Sequence, residues 1–167
     1  MRRFVVGVMG AGEGADEQAL AHARELGKRI ARAGWVVLSG GRDAGVMRAV
    51  NAGAKEVAGS LTVGILPDAR SRASPDVDVV IVTDMGNARN NVNVLSSDVV
   101  IACGPGGAGT ASEIALALKA GKPVILLDPD PESRAFFQKL SRGRIHAVQT
   151  AAEAIAAVEA LYAARQS

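Results

Sequence analysis

A chain of 167 residues is long enough for one domain, 1–167, with a substantial core. Its 49% hydrophobic and 22% charged residues exclude a disordered chain, and a net charge of +2 is too small to imply a nucleic-acid partner. Aromatic residues make up 3%, so the core falls to Val, Ile, Leu and Ala, the usual filling of a buried parallel sheet.

In chain order, apolar runs and amphipathic stretches alternate. Phe4–Val8 reads as a strand, followed by a turn containing Gly10-Ala11-Gly12. Asp16 to Ala33 reads as a helix with Ala19, Ala23, Leu26 and Ile30 on one face and Gly34 as its stop. Trp35–Leu38 is the next strand, and Gly40-Gly41 leads into a helix with Val46, Val50, Ala54 and Val57 on one side. Leu61–Leu66 is a third strand, ended by Pro67. The weakly patterned stretch Pro67 to Pro75 reads as a surface loop.

Val79–Val82 is a fourth strand, and Asn87 to Ser96 a short helix in which Ala88, Val92 and Leu95 form the expected core stripe. The fifth strand, Val99–Cys103, runs into Pro105-Gly106-Gly107-Ala108-Gly109-Thr110-Ala111-Ser112-Glu113 and a helix-like stretch from Ile114 to Ala120. Pro123–Leu127, a helix near Ser133–Leu140, a strand at Ile145–Val148 and a last helix bearing Ala151, Ile155, Val158 and Tyr162 complete the chain. This alternation predicts an α/β fold: a Rossmann-like, doubly wound parallel sheet of about six or seven strands with helices on both faces.

Cys103 falls in an apolar strand, as a buried small side chain, and as the single cysteine it can form no internal disulfide. The first apolar run is soon broken by glycines and Glu13, so neither a signal peptide nor a membrane span fits and a cytoplasmic location is expected. His22 and His146 have no metal-like neighbourhood, so no metal site is assigned.

The glycine-rich motifs all follow strands, where a doubly wound sheet carries its ligand. In the Pro-Gly-Gly loop, Gly106 and Gly107 allow close approach of an anion to the backbone, and Gly109 lets the helix start tightly against the sheet. Thr110 offers a hydroxyl. The same residues also suit a tight turn with no ligand. Glu113 has two readings: a capping-box partner of Thr110, or a carboxylate that meets ribose hydroxyls or a developing oxocarbenium ion.

Arg89, at a helix start, opposes the helix dipole and calls for an anionic partner, either a phosphate or a surface carboxylate. Arg89, Asn93 and Ser96 share one polar stripe. Asn87, Asn90, Asn91 and Asn93 are hydrogen-bonding ligands or turn and cap residues. Arg42 and Asp43 either reach the same cleft or pair with each other in solvent.

With these residues in view, the chain resembles the LONELY GUY-like family, also labelled "possible lysine decarboxylases" and related to the Rossmann domain of the DNA-processing protein DprA. Pro105–Glu113 matches Pro-Gly-Gly-x-Gly-Thr-x-x-Glu throughout, and Gly40–Met47 is similar to Gly-Gly-Gly-x-x-Gly-Leu-Met with Arg42 in place of a glycine. Well-known members cleave cytokinin riboside monophosphates to free base and ribose 5-phosphate with an arginine and the motif glutamate, which would here be Arg89 and Glu113. Their Met-His-x-Arg-Lys segment is replaced by Asn87-Ala88-Arg89-Asn90. The wording from Ala88 to Asp98 looks more like the branch of molybdenum cofactor carrier proteins, which bind a pterin phosphate.

The resemblance therefore implies a binding protein for a phosphate-bearing heterocycle, most like a molybdenum cofactor (molybdopterin) carrier. Gly106, Gly107, Gly109 and Thr110 would hold the phosphate and Arg89 would add charge, while Gly10, Gly12, Gly40 and Gly41 would line the cleft. The alternative is a nucleoside 5′-monophosphate phosphoribohydrolase with Arg89 and Glu113 as catalytic residues. Neither reading calls for a catalytic cofactor, a nucleic acid or a membrane as partner. A homo-oligomer is implied by resemblance.

Overall fold

The structure is a computed structural model and describes residues 2–104 and 106–166, so Pro105, which opens the glycine-rich motif, lies outside the described residues. Short runs of Val, Ile and Leu supply the strands β1 (Val5–Gly10), β2 (Val36–Ser39), β3 (Leu61–Leu66), β4 (Val79–Val82), β5 (Val99–Cys103), β6 (Val124–Leu127) and β7 (Ile145–Val148). They join in one sheet of order β4-β3-β2-β1-β5-β6-β7, with every pairing parallel. The chain winds outward from β1 to β4, returns to place β5 beside β1, and winds outward again. The order thus reverses between β1 and β5, whose register runs from Val6 opposite Val99 to Gly10 opposite Cys103.

Six α-helices are described: α1 (Glu17–Arg32), α2 (Gly45–Lys55), α3 (Arg89–Ser96, preceded by a 3-10 turn over Gly86–Ala88), α4 (Ala108–Lys119), α5 (Pro131–Ser141) and α6 (Ala151–Gln166). Successive side chains on a strand point to opposite faces, and the core divides accordingly. Val6, Val8, Val37 and Ile101 pack against α1, α2 and α6, whereas Met9, Leu38, Val100 and Leu126 pack against α3, α4 and α5. This is the expected doubly wound, Rossmann-like α/β fold. None of the described helices is long and apolar enough to cross a membrane.

Local chemistry fixes several boundaries. Asp16 caps α1 by accepting the Ala19 N–H at 2.7 Å, and Asp130 caps α5 by accepting the Ser133 N–H at 2.8 Å, with Pro131 opening the helix. A Cβ on Gly27 would overlap the Val50 carbonyl, and one on Gly53 the Arg24 carbonyl, so two glycines let α1 and α2 pack backbone to backbone. The stretch Pro67 to Pro75 is tied to the β2–α2 loop by an antiparallel bridge between Arg42 and Ala73. Two more bonds run from Asp43 N–H to Arg72 O at 3.0 Å and from Ser74 N–H to Gly41 O at 2.9 Å.

Two expectations are corrected. The helix after the glycine-rich motif begins at Ala108, not near Ile114. Low helix propensity argued for a loop there, but Ala111 N–H bonds to Gly107 O at 3.0 Å and starts the first turn inside the motif. The second correction is an inverted helix. In α3 the polar residues Arg89 and Asn93 are buried, while Ala88 and Leu95 are exposed and Val92 only half-buried. The buried polar side serves the cleft at the switch point, which periodicity alone does not reveal.

Candidate functional site

A cleft of about 300 Å³ opens at the carboxyl ends of β1 and β5, where the strand order reverses. Gly10, Ala11, Gly12 and the exposed Glu13 form one wall, and Gly40, Arg42 and Met47 from the β2–α2 region form the next. Asn87, Arg89 and Asn90 come from the start of α3, and Gly107, Gly109, Thr110 and Glu113 from the first turns of α4.

The α4 end of the cleft has free backbone donors. Gly107 is the N-cap residue and no side chain caps this helix. The first turn of any helix leaves N–H groups without intrahelical partners, and they carry the positive end of the helix dipole. A Cβ on Gly107 or Gly109 would meet nothing within 4 Å, so neither residue is glycine to relieve packing. Bare glycine there leaves the helix end sterically open on the cleft side.

Arg89 is 9% exposed and reaches the cleft floor. Gly40 is essential to that placement, since a Cβ on Gly40 would run into the Arg89 guanidinium. Burial lowers the Arg89 pKa most; the Glu113 carboxylate opposes that shift and the Arg42 charge adds to it. Glu113, 6% exposed, accepts a hydrogen bond from Asn93 Nδ2 at 2.8 Å. Burial pushes its carboxyl above the ordinary value, against the opposing pull of the Asn93 bond and the Arg89 charge. Among the described residues Arg89 therefore faces one buried carboxylate whose ionisation its surroundings disfavour.

The capping reading of Glu113 does not hold. The helix starts two residues before Thr110, so Glu113 lies well inside it and bonds Asn93 rather than the Thr110 N–H. Ser112 Oγ instead bonds Gly109 O at 2.7 Å and accepts from Asn90 Nδ2 at 2.9 Å, joining α3 to α4. Arg42 reaches the cleft, and Asp43 turns away from it to pair with Arg72 at 3.3 Å and Arg48 at 3.6 Å.

Of the residues singled out in the sequence, Gly10, Gly12, Gly40, Arg89, Gly107, Gly109, Thr110 and Glu113 meet in this cleft. Gly41 and Gly106 do not line it: Gly41 is buried, and Gly106 is exposed beside a separate pocket at the start of α5. Gly41 has φ +72° and lies against Gly64, while a Cβ on Gly106 would overlap Thr110. Asn93 came up in the sequence as part of a polar stripe and as a hydrogen-bonding ligand or cap residue, and its bond to Glu113 gives it a place at the site. Met47, which ends the family-like Gly40–Met47 segment, and Pro67 also line the cleft, and only for Pro67 did the sequence give no signal.

The structural neighbours are close ones. The molybdenum cofactor binding protein from Rippkaea orientalis is 50% identical, with a TM-score of 0.93 over 97% of this chain and 99% of that one. The molybdenum cofactor carrier protein from Chlamydomonas reinhardtii is likewise 50% identical, with a TM-score of 0.91 over the same shares. A cytokinin riboside 5′-monophosphate phosphoribohydrolase of Mycobacterium tuberculosis is 37% identical over 116 residues, 64% of this chain and 61% of that protein. The SLOG cluster4 family model matches residues 3–155, and the chain belongs to that family.

Proposed function

We propose that this protein binds a phosphate-bearing heterocycle of the molybdenum cofactor type as cargo and does not cleave it. The observation that carries this reading is the buried Arg89 guanidinium facing the uncapped, glycine-bordered N-terminus of α4 across one cleft. Helix N–H groups and a guanidinium are complementary donors for a phosphate dianion. The 50% identity to two proteins described as molybdenum cofactor binder and carrier supports the pterin phosphate as the ligand.

The phosphoribohydrolase reading rests on Glu113, which the structure places in the cleft rather than at a helix cap. Stabilising a ribosyl cation needs an ionised, reachable carboxylate. Burial disfavours that ionisation here, and Asn93 already occupies Oε1. Binding without turnover fits these constraints better.

Purified protein incubated with molybdopterin-type cofactor and passed over a sizing column should retain the pterin. Incubation with adenosine monophosphate or an N6-prenylated analogue should release no free base. Loss of the pterin together with base release would overturn the reading in favour of the hydrolase.

The same reading includes a homo-oligomer. Met85 and Leu95, 50% and 54% exposed, join Val92 and Leu116 in an apolar groove along α3 and α4. Asn87, Asn90 and Gly109 border both this groove and the cleft, so a second copy seated there would complete the cleft rim. Leu95→Lys should convert the protein to monomers by light scattering; an unchanged mass would place the interface elsewhere.

A further inference from the structure

Arg42 follows β2 and lines the cleft with Gly40 and Met47, on a different segment from the α4 N-terminus. Its backbone is fixed by the bridge to Ala73 and by the flanking bonds of Asp43 N–H to Arg72 O and Ser74 N–H to Gly41 O. The guanidinium lies over Gly12, where an added Cβ would come within 2.7 Å of Nη2. Its Nε is buried and has no hydrogen-bond partner among the described residues. The adjacent carboxylate of Asp43 lies 3.3 Å from Arg72 and 3.6 Å from Arg48. Its Oδ1 likewise has no hydrogen-bond partner among the described residues, so it does not take up the Arg42 Nε. Arg42 and Arg89 are also close enough for their repulsion to contribute to lowering the Arg89 pKa.

Two cations thus face one cleft, and one of them has a buried donor left over. Like charges held together repel, the Glu113 carboxyl that opposes this is itself disfavoured as an anion by burial, and a buried unpaired donor costs about 1–3 kcal/mol. Both costs are removed by an anion between the two side chains.

We propose that Arg42, with Arg89 beside it, forms a second oxyanion subsite, so that the preferred ligand carries two separated anionic groups. One is the phosphate on the α4 N-terminus; the other is a tetrahedral oxyanion on Arg42, either a second phosphate or an oxometalate. This rests on the phosphate-binding reading above and adds to it a requirement at the far end of the ligand. A planar guanidinium suits this role because it offers paired N–H donors to two oxygens at once.

The test is calorimetric titration of the whole chain, as wild type, Arg42→Met and Arg42→Lys. The probes are adenosine monophosphate, adenosine 3′,5′-bisphosphate, and sodium molybdate with and without the monophosphate. The wild type should bind the bisphosphate, or molybdate in the presence of monophosphate, at least tenfold more tightly than Arg42→Met does. The bisphosphate-to-monophosphate affinity ratio should collapse to about one in Arg42→Met and recover only in part in Arg42→Lys, which keeps the charge but not the fork. A response to the bisphosphate identifies a second phosphate as the source, and a response to molybdate identifies an oxometalate.

Monophosphate binding with no Arg42-dependent preference for either probe overturns the subsite and leaves the phosphate reading intact. Molybdate binding that depends on Arg42, without any monophosphate binding, keeps the subsite and overturns the phosphate reading. Equal loss of monophosphate and bisphosphate affinity in Arg42→Met also overturns the subsite, because Arg42 would then serve the α4 phosphate. Far-UV circular dichroism on each variant ensures that a lost signal is not a lost fold.

Discussion

Arg89 and Glu113 bear opposite formal charges in one buried patch, and burial disfavours the charged form of both. The sign for stability follows directly. Because burial raises the Glu113 carboxyl above its ordinary value of 4.5, the folded state binds its proton more tightly than the unfolded chain does. Its contribution is therefore most favourable at low pH and is lost as pH rises through the raised value. Glu113→Gln removes this slope while keeping an acceptor for Asn93. Thermal melts should show the variant gaining on the wild type as pH rises above the ordinary carboxylate range; a parallel pair of curves would refute the assignment.

The glycines of the cleft separate into those held to glycine by a packed neighbour and those with open space beside them, which the proposed function gives to the ligand. Gly109 belongs to the second group, with open space where a Cβ would stand. Gly109→Ala should hold or raise stability by up to about 1 kcal/mol, since alanine is the better helix former. The added methyl narrows the phosphate approach, so titration should show weaker ligand binding by the more stable protein. A stable variant with undiminished affinity would remove Gly109 from the site.

At the scale of elements, Asp98 fastens the start of β5 to two other parts of the chain. Its carboxylate, 5% exposed as a residue, accepts from Val5 N–H at 2.9 Å and from Arg165 at 2.8 Å, and it also pairs with Arg2. Burial raises the Asp98 pKa, but these bonds together outweigh it and hold the carboxyl below its ordinary 3.8. The stability it contributes is present above that ordinary value and is lost as pH falls through the lower, folded one. Asp98→Asn should cost about 2 kcal/mol at neutral pH, the scale of charge-assisted bonds to a buried group. In denaturant titrations the gap to the wild type should close in acid.

Element scale is also where the sequence was hardest to read. Strands β3, β4, β5 and β7 match their expected limits; β3, β4 and β5 are apolar runs rich in Val and Ile, each with Pro, Asp or Gly at one or both ends, which leave little alternative. Helix α3 has too few residues for its periodicity to say which face is inside. Its expected stripe turns partly outward, with Leu95 exposed and Val92 only half-buried. Val94, Arg89 and Asn93 take the inner side, and the two polar residues face the cleft and Glu113. The capping-box spacing of Thr110 and Glu113 likewise fitted a helix start that lies two residues earlier.

Over the whole molecule, the doubly wound order follows from strand–helix alternation, and the reversal between β1 and β5 gathers residues far apart in sequence. Gly10, Gly40, Arg89 and Thr110 were legible because each follows a strand or opens a helix. The Glu113–Asn93 bond, the unpaired Nε of Arg42 and the absence of Gly41 and Gly106 from the cleft lining were not legible. They depend on how four separate loops close on one another. The cleft thereby acquires two cations, Arg89 and Arg42, while the one carboxyl buried in it among the described residues is disfavoured as an anion.

The central claim is that this cleft holds an intact phosphorylated heterocycle through Arg89 and the start of α4. Mass spectrometry of the small molecules recovered from purified wild type and Arg89→Met tests it most directly. The wild type should yield an intact pterin phosphate. Arg89→Met should retain at least tenfold less of it, in keeping with the loss of a charge-assisted bond of about 1.5–3 kcal/mol. Recovery of ribose 5-phosphate with a free base from the wild type, or equal ligand on both proteins, would contradict the account.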